Sequence, residues 1–119
     1  VKKVYFFENY RKTLKILKKN IADFNLIKYT NINEKNAYEI SNEDINNEDI
    51  YLIYLDPPFK DKNINNLLER INELKIAKKN TLILLHRNKK FKEKFIKNFE
   101  ILREEKYGLS KIIFGKLLF

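Results

Sequence analysis

The stretch IYLIYLDPPF, residues 50–59, indicates what kind of sheet this chain forms. Its first six residues are apolar without alternation, which is typical of a central parallel strand covered on both faces. Asp56-Pro57-Pro58 then ends the strand, because proline has no N–H to donate to a ladder of hydrogen bonds. We therefore expect a buried parallel strand that runs directly into a stiff turn.

Short apolar runs on both sides of this stretch indicate further strands. The run KVYFF is short and aromatic, and TLILL is as apolar as the central strand. The tail contains two strand-like runs that we expect to pair antiparallel. The predicted strands are Lys3–Phe7, Leu26–Asn31, Ile50–Leu55 and Thr81–Leu85, with two more in Glu100–Phe119 on either side of Gly108.

Apolar residues spaced by three and four positions predict the helices between these strands. A short helix around Ala37–Ser41 is also possible. The predicted stripes are Tyr10, Leu14, Leu17, Ile21 and Phe24 in the first helix; Ile64, Leu67, Leu68, Ile71 and Leu74 in the second; and Phe91, Phe95 and Phe99 in the third. This order predicts an α/β fold with a mostly parallel sheet and an antiparallel closing pair, in one domain over residues 1–119.

Composition and charge narrow the class of protein. The chain has no cysteine, which excludes disulfides, thiolate nucleophiles and thiolate zinc sites and fits a cytoplasmic protein. Its longest apolar run is too short to cross a bilayer, and no signal peptide pattern opens the chain, so we expect no membrane partner. The net charge of +9 favours polyanionic partners, although the excess of lysine over arginine is also typical of AT-rich coding sequence.

Two acidic residues directly follow predicted strands. Glu8 comes after KVYFF, and Asp56 comes after IYLIYL. In open α/β sheets ligands bind outside the carboxyl ends of the strands, and parallel strands place both acids at the same rim. An acid after the second strand of a nucleotide-binding unit can accept hydrogen bonds from two ribose hydroxyls. Glu8 could equally be an acid that caps the following helix.

The turn Asp56-Pro57-Pro58-Phe59 predicts a site for an exocyclic amine on a nucleic-acid base. Pro58 keeps Pro57 extended, so the Pro57 carbonyl is left available as an acceptor. Asp56 and this carbonyl can accept the two N–H groups of the amine, while Phe59 stacks on the ring. Such a site works by positioning and by stabilising developing positive charge, without a metal. The alternative is an ordinary exposed Asp beside a packed Phe.

Other polar residues near the predicted rim allow two interpretations. His86, the only histidine, and Arg87 end the TLILL strand, where a solvated pair is the simpler interpretation and a substrate contact is the alternative. Four lysines follow them closely and could contact RNA phosphates or form the solvated face of a helix. These lysines are Lys89, Lys90, Lys92 and Lys94.

The sequence resembles a known family at these residues. LDPPF is similar to the [DN]PP[FY] motif of amino-methyltransferases, which include adenine-N6 and guanine-N2 enzymes. VYFFENYRKTLKILKKNI, NAYEI (residues 36–40) and YGLSKIIFGK (residues 107–116) resemble segments of the bacterial 16S rRNA guanine-N2 methyltransferase family, and the likeness runs over roughly Lys3 to Lys116. The resemblance implies a Rossmann-like class I fold and S-adenosylmethionine as the methyl donor.

The resemblance also implies roles for individual residues. Glu8, with Asn9 beside it, would bind the cofactor ribose, and Asn36 with the Ala37 backbone would lie against its adenine. The residues that would hold the target guanine in 16S rRNA or the small ribosomal subunit are Asp56, Pro57, Pro58 and Phe59. We expect a monomer.

One part of the family pattern is missing from these 119 residues. The family's first strand and glycine-rich cofactor loop would precede Val1, and the only glycines here are Gly108 and Gly115. Together with the absence of methionine, this predicts that the chain is the remainder of a longer one, inactive by itself, with unpaired strand edges where the first strand would lie. Two alternatives remain open: an adenine-N6 DNA methyltransferase and a non-catalytic RNA-binding relic.

Overall fold

The structure is a computed structural model that describes residues 2–58 and 63–118. The chain divides into two compact units, Val1–Asn46 and Asn47–Phe119. Each unit has its own sheet, and each is described separately below. The expectation of one domain over residues 1–119 stays a prediction.

The first unit contains a parallel strand pair joined by a helix. Strand β1 (Val4–Phe7) leads into helix α1 (Arg11–Asp23), and strand β2 (Thr30–Asn33) then pairs with β1 in parallel. The register runs from Val4 opposite Thr30 to Phe7 opposite Asn33. A parallel pair needs such a crossover, so the predicted strand-helix-strand order is confirmed here.

Helix α1 buries one narrow stripe of the predicted apolar face. Leu14 and Ile21 are buried, whereas Tyr10 and Phe24 at the two ends of the stripe are exposed. The next strand begins later than Leu26, where the sequence placed it. Residues Ile27–Tyr29 form a 3₁₀ turn instead, because the four-residue strand β1 offers partners only to Thr30–Asn33.

The rest of the first unit is held by short 3₁₀ helices. The helix expected around Ala37–Ser41 is present as Ala37–Glu39, and a second, Asn42–Ile45, follows it. Ser41 and Asp44 form a capping box at the start of the second one, and Lys35 donates to the same Asp44 carboxylate at 2.8 Å. The Lys35 hydrogen bond and those from Ser41 outweigh the effect of burial and lower the pKa of Asp44 below its ordinary value of 3.8.

The second unit is a four-stranded mixed sheet with one helix. Strand β3 (Ile50–Leu55) pairs in parallel with β4 (Ala77–Asn88), and helix α2 (Ile64–Glu73) connects them. Strands β5 (Phe99–Tyr107) and β6 (Ser110–Leu117) form the antiparallel hairpin that the tail predicted. The strand order is β3-β4-β6-β5, so β6 lies between β4 and β5. The predicted α/β class is confirmed.

The core of the second unit comes from alternate positions of β4 and β6 and from one face of α2. Leu68, Ile83, Leu85 and Ile113 are fully buried, and burying each such side chain contributes about 1.5–3 kcal/mol. Strand β4 begins four residues before the predicted Thr81. The Thr81 hydroxyl donates to the carbonyl of Ile50 at 2.6 Å and so joins β4 to β3 across a register shift.

The third predicted helix is wrong. The segment between Asn88 and Phe99 contains no regular helix, and Phe99 is the first residue of β5. Phe95 and Phe99 meet edge to face, with ring centroids 5.4 Å apart, instead of lying on one helical stripe. Main-chain groups of this segment bond to other elements, as in the 3.0 Å hydrogen bond from the Lys89 N–H to the carbonyl of Leu109.

Four of the strands have a neighbour on only one side among the residues that the structure describes. These are β1 and β2 in the first sheet, and β3 and β5 at the two edges of the second. The two glycines lie in the second unit, and Gly108, with a φ of 55°, opens the two-residue turn between β5 and β6. No helix within residues 2–58 and 63–118 is long and apolar enough to cross a membrane.

Candidate functional site

Asp56 and His86 meet at the rim of the second unit's sheet. The parallel register places Leu55 opposite Leu85, so Asp56, directly after β3, lies beside His86, which belongs to β4 two residues before that strand ends. Nδ1 of His86 lies 2.8 Å from Oδ1 of Asp56, within hydrogen-bonding distance. The Asp56 side chain is 51% exposed and that of His86 is 25% exposed. The carboxylate is thus oriented by a neighbour while it still faces solvent.

The histidine is a residue whose part in this site the sequence analysis missed. His86 was interpreted as half of a solvated pair, yet it contacts the one carboxylate that the DPP motif singles out. The sequence did contain a sign of this contact, because His86 directly follows the apolar run TLILL, which was expected to lie parallel to the strand before Asp56. Among the described residues no hydrogen bond reaches Oδ2 of Asp56, so this oxygen can accept one from a ligand.

Arg87 was also expected to be solvated, and this prediction is wrong. Its side chain is 2% exposed. Its Nε and Nη2 each lie 2.7 Å from a carboxylate oxygen of Glu93, in a bidentate ion pair. Its Nη1 also donates to the carbonyl of Pro58 at 3.5 Å. A buried guanidinium requires such acceptors, and here one of them belongs to the turn that carries Asp56.

The structure describes the proline turn as far as Pro58. Among the described residues none donates a hydrogen bond to the Pro57 carbonyl, which leaves it available as the second acceptor beside Asp56. The Pro58 carbonyl is the one that Arg87 contacts. Phe59, the predicted stacking ring, lies outside the described residues, so its role stays a prediction.

Tyr54 precedes the site on β3 and responds to its charge. Burial raises the pKa of Tyr54 above its ordinary value of 10.0, and the negative charge of Asp56 raises it further. An anionic acceptor at a strand tip attracts ligands that donate hydrogen bonds and gain positive charge.

The first unit presents a second group of predicted site residues at the carboxyl ends of β1 and β2. Glu8 follows β1, and its N–H donates to the carbonyl of Asn33 at 3.2 Å. Its Oε2 accepts from the N–H of Asn9 at 3.1 Å. Helix α1 begins after Tyr10 and has no acid in its first turn, so Glu8 does not cap it. The alternative of a helix-capping role is therefore excluded, and the role of Glu8 in cofactor binding stays a prediction.

Asn36 and Ala37 follow β2 at the same end of this strand pair. Oδ1 of Asn36 accepts from the N–H of Tyr38 at 3.0 Å, which caps the 3₁₀ helix that begins at Ala37. The Asn36 amide is therefore oriented with its oxygen toward the backbone, and its NH₂ group remains as a donor. Asn36 and Ala37 were predicted together as cofactor-binding residues, and in the structure Asn36 caps the 3₁₀ helix whose first residue is Ala37.

Asn33 is a further residue that the sequence analysis missed. Its Nδ2 is buried and has no hydrogen-bond partner within the part of the chain that the structure describes. A buried donor without an acceptor costs about 1–3 kcal/mol, so such groups usually meet a ligand, an ion or water. Asn33 ends β2, opposite Phe7 and beside Glu8. Its place at this strand end was the available signal.

The four residues at this end of the strand pair suit a ligand with hydroxyl groups and ring nitrogens. They are Glu8, Asn33, Asn36 and Ala37. The Glu8 carboxylate offers acceptors to two neighbouring hydroxyls, whereas the amides of Asn33 and Asn36 offer donors to ring nitrogens. The backbone of Ala37 stands beside Asn36 in the same cap. The set therefore matches the sugar and base of a nucleoside in hydrogen-bonding character.

Comparisons with known proteins identify the fold. No curated protein matches the sequence. A Haemophilus influenzae protein named "putative methylase" is 20% identical over 100% of this chain and 74% of that chain, with a TM-score of 0.77. A Streptococcus pyogenes "conserved hypothetical protein" is 18% identical over 98% of this chain and 72% of that one, with a TM-score of 0.81. An Escherichia coli "putative methyltransferase" is 15% identical over 98% of this chain and 63% of that one, with a TM-score of 0.75.

These three likenesses establish a shared α/β fold, and the expected Rossmann-like class is thereby confirmed. At the level of sequence, one family model covers nearly the whole chain. The model described as "Conserved hypothetical protein 95" matches residues 1–116. This chain is therefore a member of the Conserved hypothetical protein 95 family.

Proposed function

We propose that this protein transfers a methyl group from S-adenosylmethionine to the exocyclic N2 of a guanine in small-subunit rRNA. The observation that carries the proposal is the half-exposed Asp56 carboxylate, which follows a parallel strand in a DPP turn and is oriented by His86 at 2.8 Å. Two proteins of the same fold are named as methylase or methyltransferase, which supports methyl transfer as the reaction class. The choice of guanine and of rRNA depends on the resemblance of YGLSKIIFGK to the rRNA family.

In this proposal the residues of the DPP turn hold the amine. Oδ2 of Asp56 and the Pro57 carbonyl accept its two N–H groups, so the nitrogen becomes more tetrahedral and its lone pair points toward the methyl donor. The Asp56 charge stabilises the positive charge that develops on the nitrogen. His86 keeps Oδ1 occupied and so fixes the carboxylate. The product nitrogen loses its proton to water.

The cofactor residues belong to the same proposal. S-adenosylmethionine would supply an electrophilic methyl group on its sulfonium. Glu8 would accept hydrogen bonds from its ribose hydroxyls, with Asn9 holding the Glu8 carboxylate in place through the 3.1 Å hydrogen bond. Asn36 and Ala37 would lie against the adenine, and we add Asn33 as a donor on the strength of its unpartnered Nδ2. A protein that acts on ribosomal RNA in bacteria would work in the cytoplasm.

A methylation assay tests the proposal. The whole product of the open reading frame that encodes these 119 residues is incubated with labelled S-adenosylmethionine and either small ribosomal subunits, free rRNA or duplex DNA. The modified nucleoside is then identified by mass spectrometry after digestion. We expect N2-methylguanosine in rRNA. Label in DNA adenine alone would overturn the substrate, and no transfer to any acceptor despite RNA binding would leave a non-catalytic RNA-binding protein.

A further inference from the structure

The segment Lys89–Lys94, here called the basic loop, is an ordered and strongly charged surface at the rim that carries Asp56. Its exposed residues are Lys89, Lys90, Phe91, Lys92 and Lys94. We propose that the basic loop binds the phosphates and one base of single-stranded RNA next to the reacting base. The inference rests on the proposed function in one respect, the identity of the reacting base. The binding of RNA by the loop does not depend on it.

The charge of the basic loop is almost entirely available to a partner. Its one acid, Glu93, is 17% exposed and is neutralised by the buried Arg87 in the bidentate pair. None of the four lysine ammonium groups takes part in an ion pair with a described residue. Six consecutive residues therefore present four positive charges and no uncompensated negative one, which suits a phosphate backbone.

The backbone of the loop is fixed although it is neither helix nor strand. The N–H of Lys89 donates to Leu109 at 3.0 Å, and the ammonium of Lys111 donates to the carbonyl of Phe91 at 3.0 Å. At the far end Asn65 of α2 donates to the carbonyl of Lys94 at 2.8 Å. Because the backbone is already ordered, a ligand meets pre-positioned side chains and binding loses less conformational entropy.

The loop lies close to the candidate active site along the sheet. Lys89 comes three residues after His86, which corresponds to about 10 Å of extended chain at about 3.3 Å per residue. A stacked strand of nucleic acid covers that distance in about three nucleotides. The two regions are also joined by Arg87, whose guanidinium contacts Glu93 of the loop and Pro58 of the turn. Nucleotides adjacent to a base held at Asp56 would therefore reach the lysines.

The aromatic residue within the loop favours single-stranded RNA over a purely electrostatic partner. Phe91 is 48% exposed and stands between Lys90 and Lys92. Aromatic side chains among basic residues stack on unpaired bases, and sequence-specific RNA recognition mostly targets loops and unpaired segments whose bases can be splayed out. A phosphate backbone alone gives no reason to expose a phenyl ring.

Charge-neutral variants with a matched control test the lysines. Binding of a fluorescein-labelled single-stranded RNA is measured by anisotropy between about 50 and 200 mM salt, without S-adenosylmethionine, for the whole open-reading-frame product. Loss of two phosphate contacts in Lys90→Gln/Lys92→Gln reduces the salt slope by about 1.4, because each contact to a single strand contributes about 0.7. The control Lys12→Gln/Lys15→Gln on α1 has the same net charge. An equal reduction of the salt slope in both double variants, or no reduction in Lys90→Gln/Lys92→Gln, would overturn the proposal.

Two substitutions of Phe91 test the stacking. We expect Phe91→Ala to weaken RNA binding about tenfold and Phe91→Trp to retain it, with quenching of the tryptophan fluorescence by bound RNA. Circular dichroism checks that both variants fold, and the hydrogen bond from Lys111 goes to the Phe91 backbone, which neither change removes. Equal affinity of Phe91→Ala and the unchanged protein would overturn the stacking role.

The outcomes separate this inference from the proposed function. RNA binding that depends on the loop in a protein without methyl transfer would support the inference and contradict the enzymatic function. Methyl transfer with an unchanged KM for rRNA in the loop variants would support the enzymatic function and contradict the inference. Loop-dependent binding to duplex DNA or to phosphatidylserine vesicles, with weaker binding to single-stranded RNA, would overturn the inference in favour of a different partner.

Discussion

Arg87 and Glu93 form a bidentate ion pair in which both nitrogen-to-oxygen distances are 2.7 Å and the arginine side chain is 2% exposed. The two residues are six positions apart, and the pair joins Glu93, near the end of the basic loop, to the last residues of β4. The same guanidinium reaches the carbonyl of Pro58. One buried cation therefore orders both the loop and the turn that bears Asp56.

Removing Arg87 should destabilise the protein strongly. Arg87→Ala leaves Glu93 partly buried without its partner, and we expect the free energy of unfolding to fall by about 3–5 kcal/mol. The measurement is urea unfolding followed by circular dichroism. Lys19→Ala, which breaks the exposed ion pair with Asp23, is the control and should cost less than about 0.5 kcal/mol. Equal small losses in both variants would show that the buried pair is dispensable.

Asp56 should matter for turnover and not for the cofactor. In the whole product of the open reading frame, we expect Asp56→Ala to lower kcat by at least about a hundredfold while the affinity for S-adenosylmethionine stays nearly intact, because Asp56 is assigned to the target base. His86→Ala should lower kcat less, since it only releases the carboxylate. Asp49→Ala, an exposed acid just before β3, is the control. Loss of cofactor binding in Asp56→Ala would show that its role is misassigned.

Gly115 is required for steric reasons. A Cβ built on Gly115 would lie 2.3 Å from Cζ of Phe99 and 2.8 Å from the carbonyl oxygen of Glu100, and the latter cannot move without disturbing β5. We expect Gly115→Ala to reduce the free energy of unfolding by about 1–3 kcal/mol. Gly115→Ala/Phe99→Leu should recover part of this loss. No change in unfolding for Gly115→Ala would contradict the packing of β6 against β5.

Asp44 should contribute to acid sensitivity. Its pKa is lowered below 3.8 in the folded chain, mainly by the hydrogen bond from Lys35, so its contribution to stability is present above that pH and is lost as the pH falls through the lowered value. We expect Asp44→Asn to cost about 1–2 kcal/mol at neutral pH and little in strong acid. Unfolding measured across that range checks this. Asp23→Asn, which removes an exposed ion pair, is the control and should cost less than about 0.5 kcal/mol at neutral pH.

The 119-residue chain by itself should bind S-adenosylmethionine poorly. It contains no glycine-rich loop, and β1 and β3 each have an unpaired edge among the described strands. Such apolar edges also favour aggregation. Titration calorimetry checks the prediction, with light scattering on the same sample. Micromolar affinity for the isolated chain would refute it.

Local patterns in the sequence predicted most of the fold. Apolar runs located β1, β3 and the start of the β4 core, and the tail gave the hairpin around Gly108. The helix that we expected from Phe91, Phe95 and Phe99 does not form. A spacing of four residues also occurs in an irregular loop, and the polar groups of this loop bond to distant residues. Asn65 on α2 is one of these partners, 29 residues before Lys94.

Contacts between residues far apart in the sequence explain why the site was only partly predicted. The motif identified Asp56, but the contact with His86 depends on the register of β3 against β4 over 30 positions. The burial of Arg87 likewise requires Glu93 to fold back, which no periodicity indicates. Asn33 was missed because the lack of a partner is visible only when every neighbour is known.

Strand β6 is synthesised after both of the strands between which it lies. During translation the ribosome releases β4 and then β5, and these two strands are not neighbours in the sheet, because each of them pairs with β6, which emerges last. At about 5–20 residues per second the 29 positions from Asn88 to Leu117 correspond to a delay of about 1.5–6 s. During this interval the edge of β4 that β6 later covers has no strand beside it, so the sheet closes on that side only when the hairpin is complete.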